Sequence, residues 1–498
     1  MRLLFIYPHT LDGQKRIPGD RRYFPWGMAT VMRCLENDGH ELLLLDVYGN
    51  DLLPFEVEQY LDQHAFDCAC IGGFASMNYA HVLNLAEAVK QRYSIPVVVG
   101  GLLADLHYSL LLQKKTIDIC VIGEGEVTVV DLFRNLQNLD SVHGIAYRRN
   151  GQIKLNAPRE LIKNLDTLPL PNFGLWNMDI YMKQNLWAQD PTTRYDEWSA
   201  TLPSLDQLTP NVSLFFGRGC PFHCKFCSRS YQTVRYKSVD RIMQELSFFK
   251  EQYGIKAFHF CDELAVFKKE VTYELCNKVE NTGLFWDCQA RVNTVDKEIL
   301  QALKKANCYS IGLGLESGSN RILRAMNKGI TREQSLAVLK AAKEVGMHLK
   351  LQYMFGYPGE TEKDLAETVS LVKLSGMPPR RLSWTTPLPG SALYGDARNQ
   401  GLIKDEEAYI ISLKKGMNKP NRILLNVSGL NDEEATYRYL KVHEEMGRYY
   451  FWRNVWKPAN WFNLSFWHIN HGFLPWPLPV ILRWIASVLR KAKGLFSR

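Results

Sequence analysis

The sequence predicts an α/β protein with two parallel sheets, followed by a mostly helical C-terminal region. Short apolar runs alternate with segments of helical period twice, within residues 1–135 and again within residues 211–400. Parallel strands need a crossover connection, which is usually a helix, so this alternation is typical of parallel sheets. Residues 401–498 lack the alternation and are rich in aromatic side chains. A chain of 498 residues is also long enough for several domains.

The first series of apolar runs predicts a Rossmann-like parallel sheet within residues 1–135. Its candidate strands are residues 2–8, 40–48, 67–74, 95–101 and 118–125. Several of them end in glycine, among them the strands that reach Gly100-Gly101 and Gly123. Ligands of open α/β sheets bind beyond the carboxyl ends of the strands, where glycine lets a backbone approach closely. The alternative, that these glycines only turn the chain, stays open.

Residues 136–210 have no clear period. The segment 161–181 mixes proline, asparagine and aromatic residues, as loops do. We therefore expect residues 136–210 to be a linker between two domains.

The second series of apolar runs predicts a partial (β/α)6 barrel within residues 211–400. Its candidate strands are residues 212–218, 256–260, 285–291, 309–316, 348–356 and 381–387. Helical patterns fill the gaps between them. Active sites of parallel barrels gather at the carboxyl ends of the strands. We therefore expect the chemistry of this domain on the loops that follow these strands.

Three cysteines, Cys220, Cys224 and Cys227, follow the first barrel strand within eight residues. Three thiolates on a four-iron cluster leave one iron without a protein ligand, and that iron can bind a substrate or cofactor. The alternative is a zinc site that recruits His223 as a fourth ligand. Its spacing is allowed, but such a short loop leaves little chain for a tetrahedral cage.

The cysteine loop resembles the signature of the radical S-adenosylmethionine (radical SAM) enzymes. That signature is C-x3-C-x2-C with an aromatic residue before the last cysteine, which is Phe226 here. The motif also follows a first strand and precedes a βα repeat, as in that family. The resemblance implies a [4Fe-4S] cluster on the three cysteines. It also implies that S-adenosylmethionine binds the open iron and is cleaved reductively to a 5′-deoxyadenosyl radical.

The same resemblance implies S-adenosylmethionine contacts at the ends of the later strands. Asp262 and Glu263 match the polar groups near the methionine amine, and two acids suit an ammonium group. The alternative is that these two acids start a helix. Arg291 would pair with the methionine carboxylate, Glu316 would bind the ribose hydroxyls, and Gly356 would lie in the adenine-side loop.

Residues 1–135 resemble the cobalamin-binding domain attached to one large subclass of radical SAM enzymes. The similar stretches are residues 24–46, 95–104 and 118–133, in the same order. The motif Asp-x-His-x-x-Gly, which supplies a lower axial ligand in other cobalamin proteins, is missing here. Relatives that keep this domain without cobalamin represent the open alternative. The candidate cobalamin contacts are Ser76, Met77, Gly100, Gly101, Gly123 and Glu124.

The two resemblances together imply cobalamin-dependent methylation of an unactivated carbon by a radical SAM enzyme. A radical cyclase or oxidoreductase that transfers no methyl group is the alternative, and a non-enzymatic iron–sulfur or zinc protein is a third interpretation. The expected partners are a small-molecule or lipid-like substrate and an external electron donor such as flavodoxin or ferredoxin. The net charge of +8 is spread along the chain, so we expect no nucleic-acid partner.

The C-terminal segment 479–498 predicts a basic amphipathic helix. It contains several apolar residues near one helical stripe, five Lys or Arg side chains and no acid. Such a helix can lie in the headgroup layer of a membrane or pack on the protein with its basic face in water, and both interpretations stay open. The odd number of cysteines, 11, is typical of a reducing compartment. We therefore expect a cytoplasmic protein, with peripheral contact at the inner membrane face if the first interpretation holds.

Overall fold

The computed structural model describes residues 1–9, 23–183, 202–229, 231–376 and 382–454. The chain divides into two compact units. The first unit contains Met1–Gln184, Ser228–Arg241 and Leu388–Met417. The second contains Asn185–Cys227, Ile242–Pro387 and Asn418–Arg498. The predicted domain bounds remain a prediction.

The first unit is built on a seven-stranded sheet in the order β2-β1-β3-β4-β5-β6-β7. Strands β1 to β5 run parallel, and β6 and β7 are antiparallel additions at one edge. The strand order reverses between β1 and β3, which is where ligands of open α/β sheets bind. The strands are β1 (Arg2–Tyr7), β2 (Glu41–Asp46), β3 (Cys68–Gly72), β4 (Val97–Gly100), β5 (Ile119–Val121), β6 (Ile145–Arg149) and β7 (Gln152–Leu155).

The five parallel strands confirm the Rossmann-like sheet expected from the sequence. The hairpin β6–β7, however, lies within the residues assigned above to a linker. Its turn, Asn150-Gly151, has φ of 51° and 78° at the two residues. Positive φ at both central positions is the geometry that Asn-Gly adopts in tight hairpins. The dipeptide is therefore a local signal for these two strands that the sequence analysis did not use.

Helices cover the first sheet and bury an aliphatic core. That core includes Leu4, Ile71, Val99 and, from the late segment of this unit, Ile410. The helices are α1 (Trp26–Asn37), α2 (Val47–Asn50), α3 (Pro54–Gln63), α4 (Tyr79–Arg92), α5 (Leu102–Gln113), α6 (Gly125–Arg134), α7 (Met178–Met182), α15 (Ala392–Asn399) and α16 (Glu406–Ser412).

The second unit contains a six-stranded, fully parallel sheet whose strands follow one another in chain order. This order confirms the predicted partial barrel. The strands are β8 (Asn211–Leu214), β9 (Ala257–Phe260), β10 (Phe285–Ala290), β11 (Cys308–Glu316), β12 (His348–Phe355) and β13 (Ser383–Trp384). Both faces of the sheet are largely buried, as parallel strands require.

The helices between these strands begin at defined caps. Thr331 and Thr361 each begin a helix with a side-chain oxygen that accepts from a backbone N–H. In each case the side chain three positions later accepts in turn from the backbone N–H of the threonine. The helices are α8 (Leu205–Leu208), α9 (Val239–Tyr253), α10 (Lys269–Glu280), α11 (Lys297–Lys305), α12 (Asn320–Ala325), α13 (Arg332–Val345), α14 (Glu362–Ser375) and α17 (Asp432–Asn454).

Helix α17 packs against the last strand of the second sheet. The Tyr439 hydroxyl donates to the Leu382 carbonyl at 3.1 Å, and the Tyr439 ring stacks on Trp384 with centroids 5.5 Å apart. An exposed edge strand would invite pairing with another chain, and this helix covers it. The mostly helical C-terminal region is confirmed as far as residue 454.

The basic segment 479–498 lies outside the described residues, so its amphipathic helix stays a prediction. Over the part of the chain that the structure describes, no helix combines the length and the apolar character needed to cross a membrane.

Candidate functional site

The three cysteines lie on a loop whose backbone is held at both ends. At its start, the buried carboxylate of Asp262 accepts hydrogen bonds from the backbone N–H groups of Phe216, at 2.9 Å, and Gly217. Further along, Lys225 N–H donates to the Met326 carbonyl at 2.9 Å. The loop is therefore fixed by a residue that follows strand β9 and by the residue that ends helix α12.

The three sulfur-bearing side chains differ in exposure. Cys224 is buried, Cys220 is half-buried and Cys227 is exposed. Desolvation raises the pKa of the Cys220 thiol, and the nearby Glu263 carboxylate raises it further, whereas Arg291 lowers it. Burial likewise raises the pKa of the Cys227 thiol, so Cys220 and Cys227 must release protons when they bind a cluster.

Arg291 lies directly against the cysteine loop. Its Nη1 is 3.2 Å from the Cys224 sulfur, and its guanidinium carbon is 3.8 Å from the centroid of the Phe222 ring. Its Nη2 donates to the Lys328 carbonyl. An arginine that donates to a cluster sulfur stabilises the negative charge of the cluster and raises its reduction potential.

The donor set fits an iron–sulfur cluster better than a single metal ion. Among the described residues, no three His, Cys, Asp or Glu side chains converge closely enough to enclose one ion. The three thiols still influence one another electrostatically, as the shift at Cys227 shows, and a cubane cluster bridges cysteines that are too far apart for one ion.

Glu316 ends β11 at the same end of the sheet. Its backbone has a φ of 60°, which is uncommon for a non-glycine residue. Its Oε1 accepts from the Lys328 Nζ at 2.7 Å, and both side chains are buried. Lys328 Nζ also lies 5.7 Å from the centroid of the Phe226 ring. The structure thus adds Lys328 to the candidate site, a residue that the sequence analysis did not single out.

Gly356 follows β12 with a φ of 74°, where a side chain would be strained. Its N–H donates to Oε2 of Glu360 at 2.8 Å, and an added Cβ would lie 3.3 Å from Nε1 of Trp384. Burial raises the pKa of the Glu360 carboxyl to about 8. This loop is therefore kept open on one side and fixed by a buried acid on the other.

The two acids after β9 differ in environment. Asp262 is buried and holds the cysteine loop, as described above, whereas Glu263 is exposed and close to the thiols. Neither starts a helix, because α10 begins only at Lys269. The alternative that these acids cap a helix is therefore wrong. The assignments of Asp262, Glu263, Arg291, Glu316, Gly356 and Phe226 to S-adenosylmethionine stay predictions.

In the first unit, Ser76 and Met77 lie on the loop that follows β3. The Ser76 hydroxyl is 2.8 Å from Nε2 of His107, and both side chains are buried. Burial lowers the pKa of His107 to about 4, so its imidazole is neutral and can hold the hydroxyl as donor or acceptor. Phe74, just before them, exposes 65% of its surface.

The glycines at the ends of β4 and β5 play different parts. An added Cβ at Gly101 would lie 2.5 Å from the Gly73 carbonyl oxygen, so the backbone itself requires glycine there. At Gly100 it would touch only Val121 at 3.7 Å, and at Gly123 it would meet nothing within 4 Å. Open space above small residues, beside an exposed aromatic ring, fits a flat macrocycle such as a corrin.

The Glu124 carboxylate is held by hydrogen bonds within the protein. Its two carboxylate oxygens accept from Arg235 at 2.9 and 3.0 Å, and Oε2 also accepts from the Ile162 N–H at 2.6 Å. The side chain is buried. A structural role accounts for this residue, and its assignment to cobalamin stays a prediction, as do those of Ser76, Met77, Gly100, Gly101 and Gly123.

Comparison with known proteins finds a matching family for the region of the cysteine loop and another for the first sheet. Residues 214–372 match the Radical SAM superfamily model, and residues 21–133 match the B12 binding domain model. An uncharacterized methyltransferase of Pyrococcus horikoshii is 29% identical over 81% of this chain and 84% of its own. The cytidylyl-2-hydroxyethylphosphonate methyltransferase of Streptomyces wedmorensis is 25% identical over 87% of both chains.

Among solved structures, the radical S-adenosylmethionine methyltransferase TsrM of Kitasatospora setae, with cobalamin and a [4Fe-4S] cluster bound, superposes with a TM-score of 0.67. The match covers 100% of both chains at 13% identity, and it shows a shared fold.

The chain therefore contains a radical SAM domain and a B12-binding domain. This pair of domains and the methyltransferases among the relatives confirm the predicted class of enzyme, a cobalamin-dependent radical SAM methyltransferase. The two matched domains agree with the prediction of S-adenosylmethionine and cobalamin as cofactors, and the TsrM structure contains the predicted kind of [4Fe-4S] cluster.

Proposed function

We propose that this enzyme methylates an unactivated carbon of a small-molecule substrate. When bound, the cluster and S-adenosylmethionine supply a 5′-deoxyadenosyl radical, and cobalamin carries the methyl group. The observation that carries the proposal is the pairing of two features in one chain. A three-cysteine loop leaves room for a non-protein ligand, and a glycine-lined strand edge leaves room for a macrocycle.

Cys220, Cys224 and Cys227 hold the cluster in this proposal. Arg291 donates to Cys224, and the planar guanidinium is oriented by its stack on the Phe222 ring. The remaining N–H donors of the guanidinium are numerous enough to reach the methionine carboxylate of S-adenosylmethionine as well. The Asp262 carboxylate positions the loop by accepting hydrogen bonds from two backbone N–H groups.

The groups that orient S-adenosylmethionine surround that loop. Glu316 accepts from the two ribose hydroxyls, and the hydrogen bond from Lys328 holds this carboxylate in one orientation. Glu263, exposed beside the thiols, receives the methionine ammonium. The loop at Gly356 leaves space for the adenine because a side chain there would meet Trp384. Phe226 shields the cluster from water.

The first unit would hold cobalamin over the carboxyl ends of its central strands. Gly100 and Gly123 leave the space that a corrin needs, and Phe74 offers it an apolar surface. Ser76, held by neutral His107, would present its hydroxyl to the ring system or its amides. Met77, half-buried on the same loop, adds apolar contact.

The remaining partners are proposed on chemical grounds. Reductive cleavage needs one electron from outside, so we propose an external donor such as flavodoxin or ferredoxin. We also propose that the enzyme works in the reducing cytoplasm, where free thiols persist. If the segment 479–498 binds the membrane surface, we propose that the substrate is lipid-like. Membrane binding of the segment is tested by flotation with anionic liposomes, comparing the full-length protein with a chain that ends at Pro477. Equal flotation of the two would contradict it.

Product analysis tests the proposed reaction. Anaerobically reconstituted enzyme, with cobalamin and a chemical reductant, is expected to form 5′-deoxyadenosine and S-adenosylhomocysteine together in the presence of substrate. The second product reports methyl transfer to cobalamin from a second S-adenosylmethionine. Turnover that yields 5′-deoxyadenosine without S-adenosylhomocysteine would instead identify a radical cyclase or oxidoreductase.

A further inference from the structure

The cysteine loop reaches the surface of the second unit between its proposed cluster ligands. His223 and Lys225 lie on either side of Cys224 in the sequence, and both are exposed although Cys224 itself is buried. The rate of electron transfer between two proteins falls steeply with the distance that the electron must cross. The exposed side of this loop therefore offers a short path to the cluster for an electron that comes from outside.

Two other segments of the second unit lie against the loop. Asn327 Nδ2 donates to the His223 carbonyl at 2.8 Å, which places the end of α12 beside the loop. The Phe222 ring meets the Phe267 ring edge to face, with centroids 6.0 Å apart, which places the chain just before α10 beside it as well. The three neighbouring segments are residues 218–227, 264–269 and 320–329.

These three segments are rich in positive charge. They contain seven Lys or Arg residues and no Asp or Glu residue. The seven are Arg218, Lys225, Lys268, Lys269, Arg321, Arg324 and Lys328. Acids from elsewhere in the second unit pair with some of them, as Asp364 does with Arg321 and Asp296 with Lys269. The cations without such a partner determine which molecules this surface attracts.

Three of the seven, Lys225, Lys268 and Arg324, form a surface that we call the basic rim. All three side chains are exposed, and among the described residues none of them has a carboxylate within ion-pair distance. The exposed acids Glu263 and Glu270 lie just outside the segment that carries Lys268. The basic rim therefore presents positive charge to solvent beside the proposed cluster ligands.

We propose that the basic rim is the docking surface for a small acidic protein that carries single electrons, such as flavodoxin or ferredoxin. Opposite charges on two proteins steer their encounter and suppress wrong partners, and electron-transfer partners meet through small interfaces. The half-buried Phe267 ring, next to Lys268, adds apolar contact area. The carrier loses one electron and the cluster gains it, so no bond or proton is exchanged. This inference rests on the proposed function, which needs an external electron, and it adds the surface through which that electron enters.

Two reductants of opposite charge test the docking surface. Cluster-loaded, full-length protein with S-adenosylmethionine is mixed anaerobically with flavodoxin hydroquinone, and oxidation of the flavin is followed by stopped-flow absorbance. Reduced methyl viologen, a small cationic one-electron donor, is the comparison. We expect the rate constant with flavodoxin to fall as salt is added, because salt screens the attraction between exposed charges. The rate constant with methyl viologen should not fall.

A charge reversal and two controls identify the residues. Lys268→Glu/Arg324→Glu should slow electron transfer from flavodoxin about tenfold at low ionic strength without slowing it from methyl viologen. Lys225 stays unchanged because a new charge next to Cys224 would also alter the potential of the cluster. Lys268→Arg/Arg324→Lys keeps both charges and should keep the rate. Lys340→Glu, at an exposed position of α13 outside the basic rim, should also keep it.

The outcomes separate the docking surface from the proposed reaction. Iron, sulfide and the unfolding temperature show that each variant is folded and loaded. A wild-type rate with flavodoxin in Lys268→Glu/Arg324→Glu, or an equal loss with both reductants, would overturn the inference. Electron transfer that depends on the basic rim but yields no S-adenosylhomocysteine would reject the proposed methylation alone. Methylation driven by flavodoxin at the same rate in the reversed variant would reject the docking surface alone.

Discussion

Lys328 Nζ lies 2.7 Å from Oε1 of Glu316, and both side chains are buried beside the cysteine loop. A charge-assisted hydrogen bond of this kind fixes the orientation of the buried carboxylate. The proposed ribose contact of Glu316 depends on that orientation.

We expect Lys328→Met to destabilise the protein strongly because it leaves Glu316 buried without its cation. Loss of one partner of a buried pair costs about 3–5 kcal/mol. The double variant Lys328→Met/Glu316→Gln removes both charges and should recover part of that loss. Urea unfolding of the cluster-free protein measures the cycle. A single variant as stable as the wild type would show that the pair contributes nothing.

The cluster ligands can be tested one at a time. Alanine at Cys220, Cys224 or Cys227 should each abolish reductive cleavage of S-adenosylmethionine, because three thiolates are needed to leave one iron open. Iron, sulfide and the absorption spectrum of anaerobically purified protein provide the measurement. Cys34→Ala should retain its cluster. Full cluster iron in the triple alanine variant would refute the ligand assignment.

Substitutions of the two glycines at the end of β4 should distinguish an effect on cobalamin binding from an effect on folding. Gly100→Val should fold, since its nearest added contact is Val121 at 3.7 Å, but should bind little cobalamin because it fills the space above the strand. Gly101→Val should lose stability as well, because its Cβ would strike the Gly73 carbonyl. Retained cobalamin, measured by the corrin absorption after gel filtration, in Gly100→Val would argue against this site.

Burial of Glu360 makes the free energy of unfolding depend on pH, and the direction of that dependence follows from the raised pKa of its carboxyl. Its folded-state pKa, about 8, exceeds its usual value of 4.5 because the carboxyl is buried. The folded protein therefore binds this proton more tightly than the unfolded chain. The resulting stability is complete below about pH 4.5 and is lost as the pH rises towards 8, by at most about 1.4 kcal/mol per pH unit.

Glu360→Gln should remove that loss, because the amide stays neutral and its oxygen still accepts from the Gly356 N–H. The free energy of unfolding of the variant relative to the wild type should therefore increase between pH 5 and pH 8. Urea titrations at the two pH values measure this difference. A difference that is the same at both values would mean that the Glu360 carboxyl is not protonated at neutral pH.

The sequence predicts the strands of both sheets because fully buried parallel strands are continuous apolar runs. It predicts the cysteine loop because three residues of one type at fixed spacing are rare and local. The hairpin β6–β7 was missed although Asn150-Gly151 marks its turn, because its flanking residues alternate too weakly to indicate strands.

Contacts between distant residues could not be predicted in the same way. Lys328 lies twelve residues beyond Glu316, in a stretch without a recognisable motif, and only the fold brings them together. Glu124 fits a cobalamin stretch by resemblance, yet its partner Arg235 is 111 residues away. Similarly, the requirement for glycine at Gly101 comes from the Gly73 carbonyl on another strand end.

The first unit is completed by residues that the ribosome makes late. Glu407 accepts from the Tyr79 hydroxyl at 3.0 Å and pairs with Lys114 at 2.7 Å, and Ile410 belongs to the same aliphatic core as Leu4. During synthesis this core therefore stays unfinished until after the whole second sheet has emerged. The cobalamin-binding part cannot be excised as an N-terminal cassette, and recombination that exchanges it between relatives must carry the late segment along.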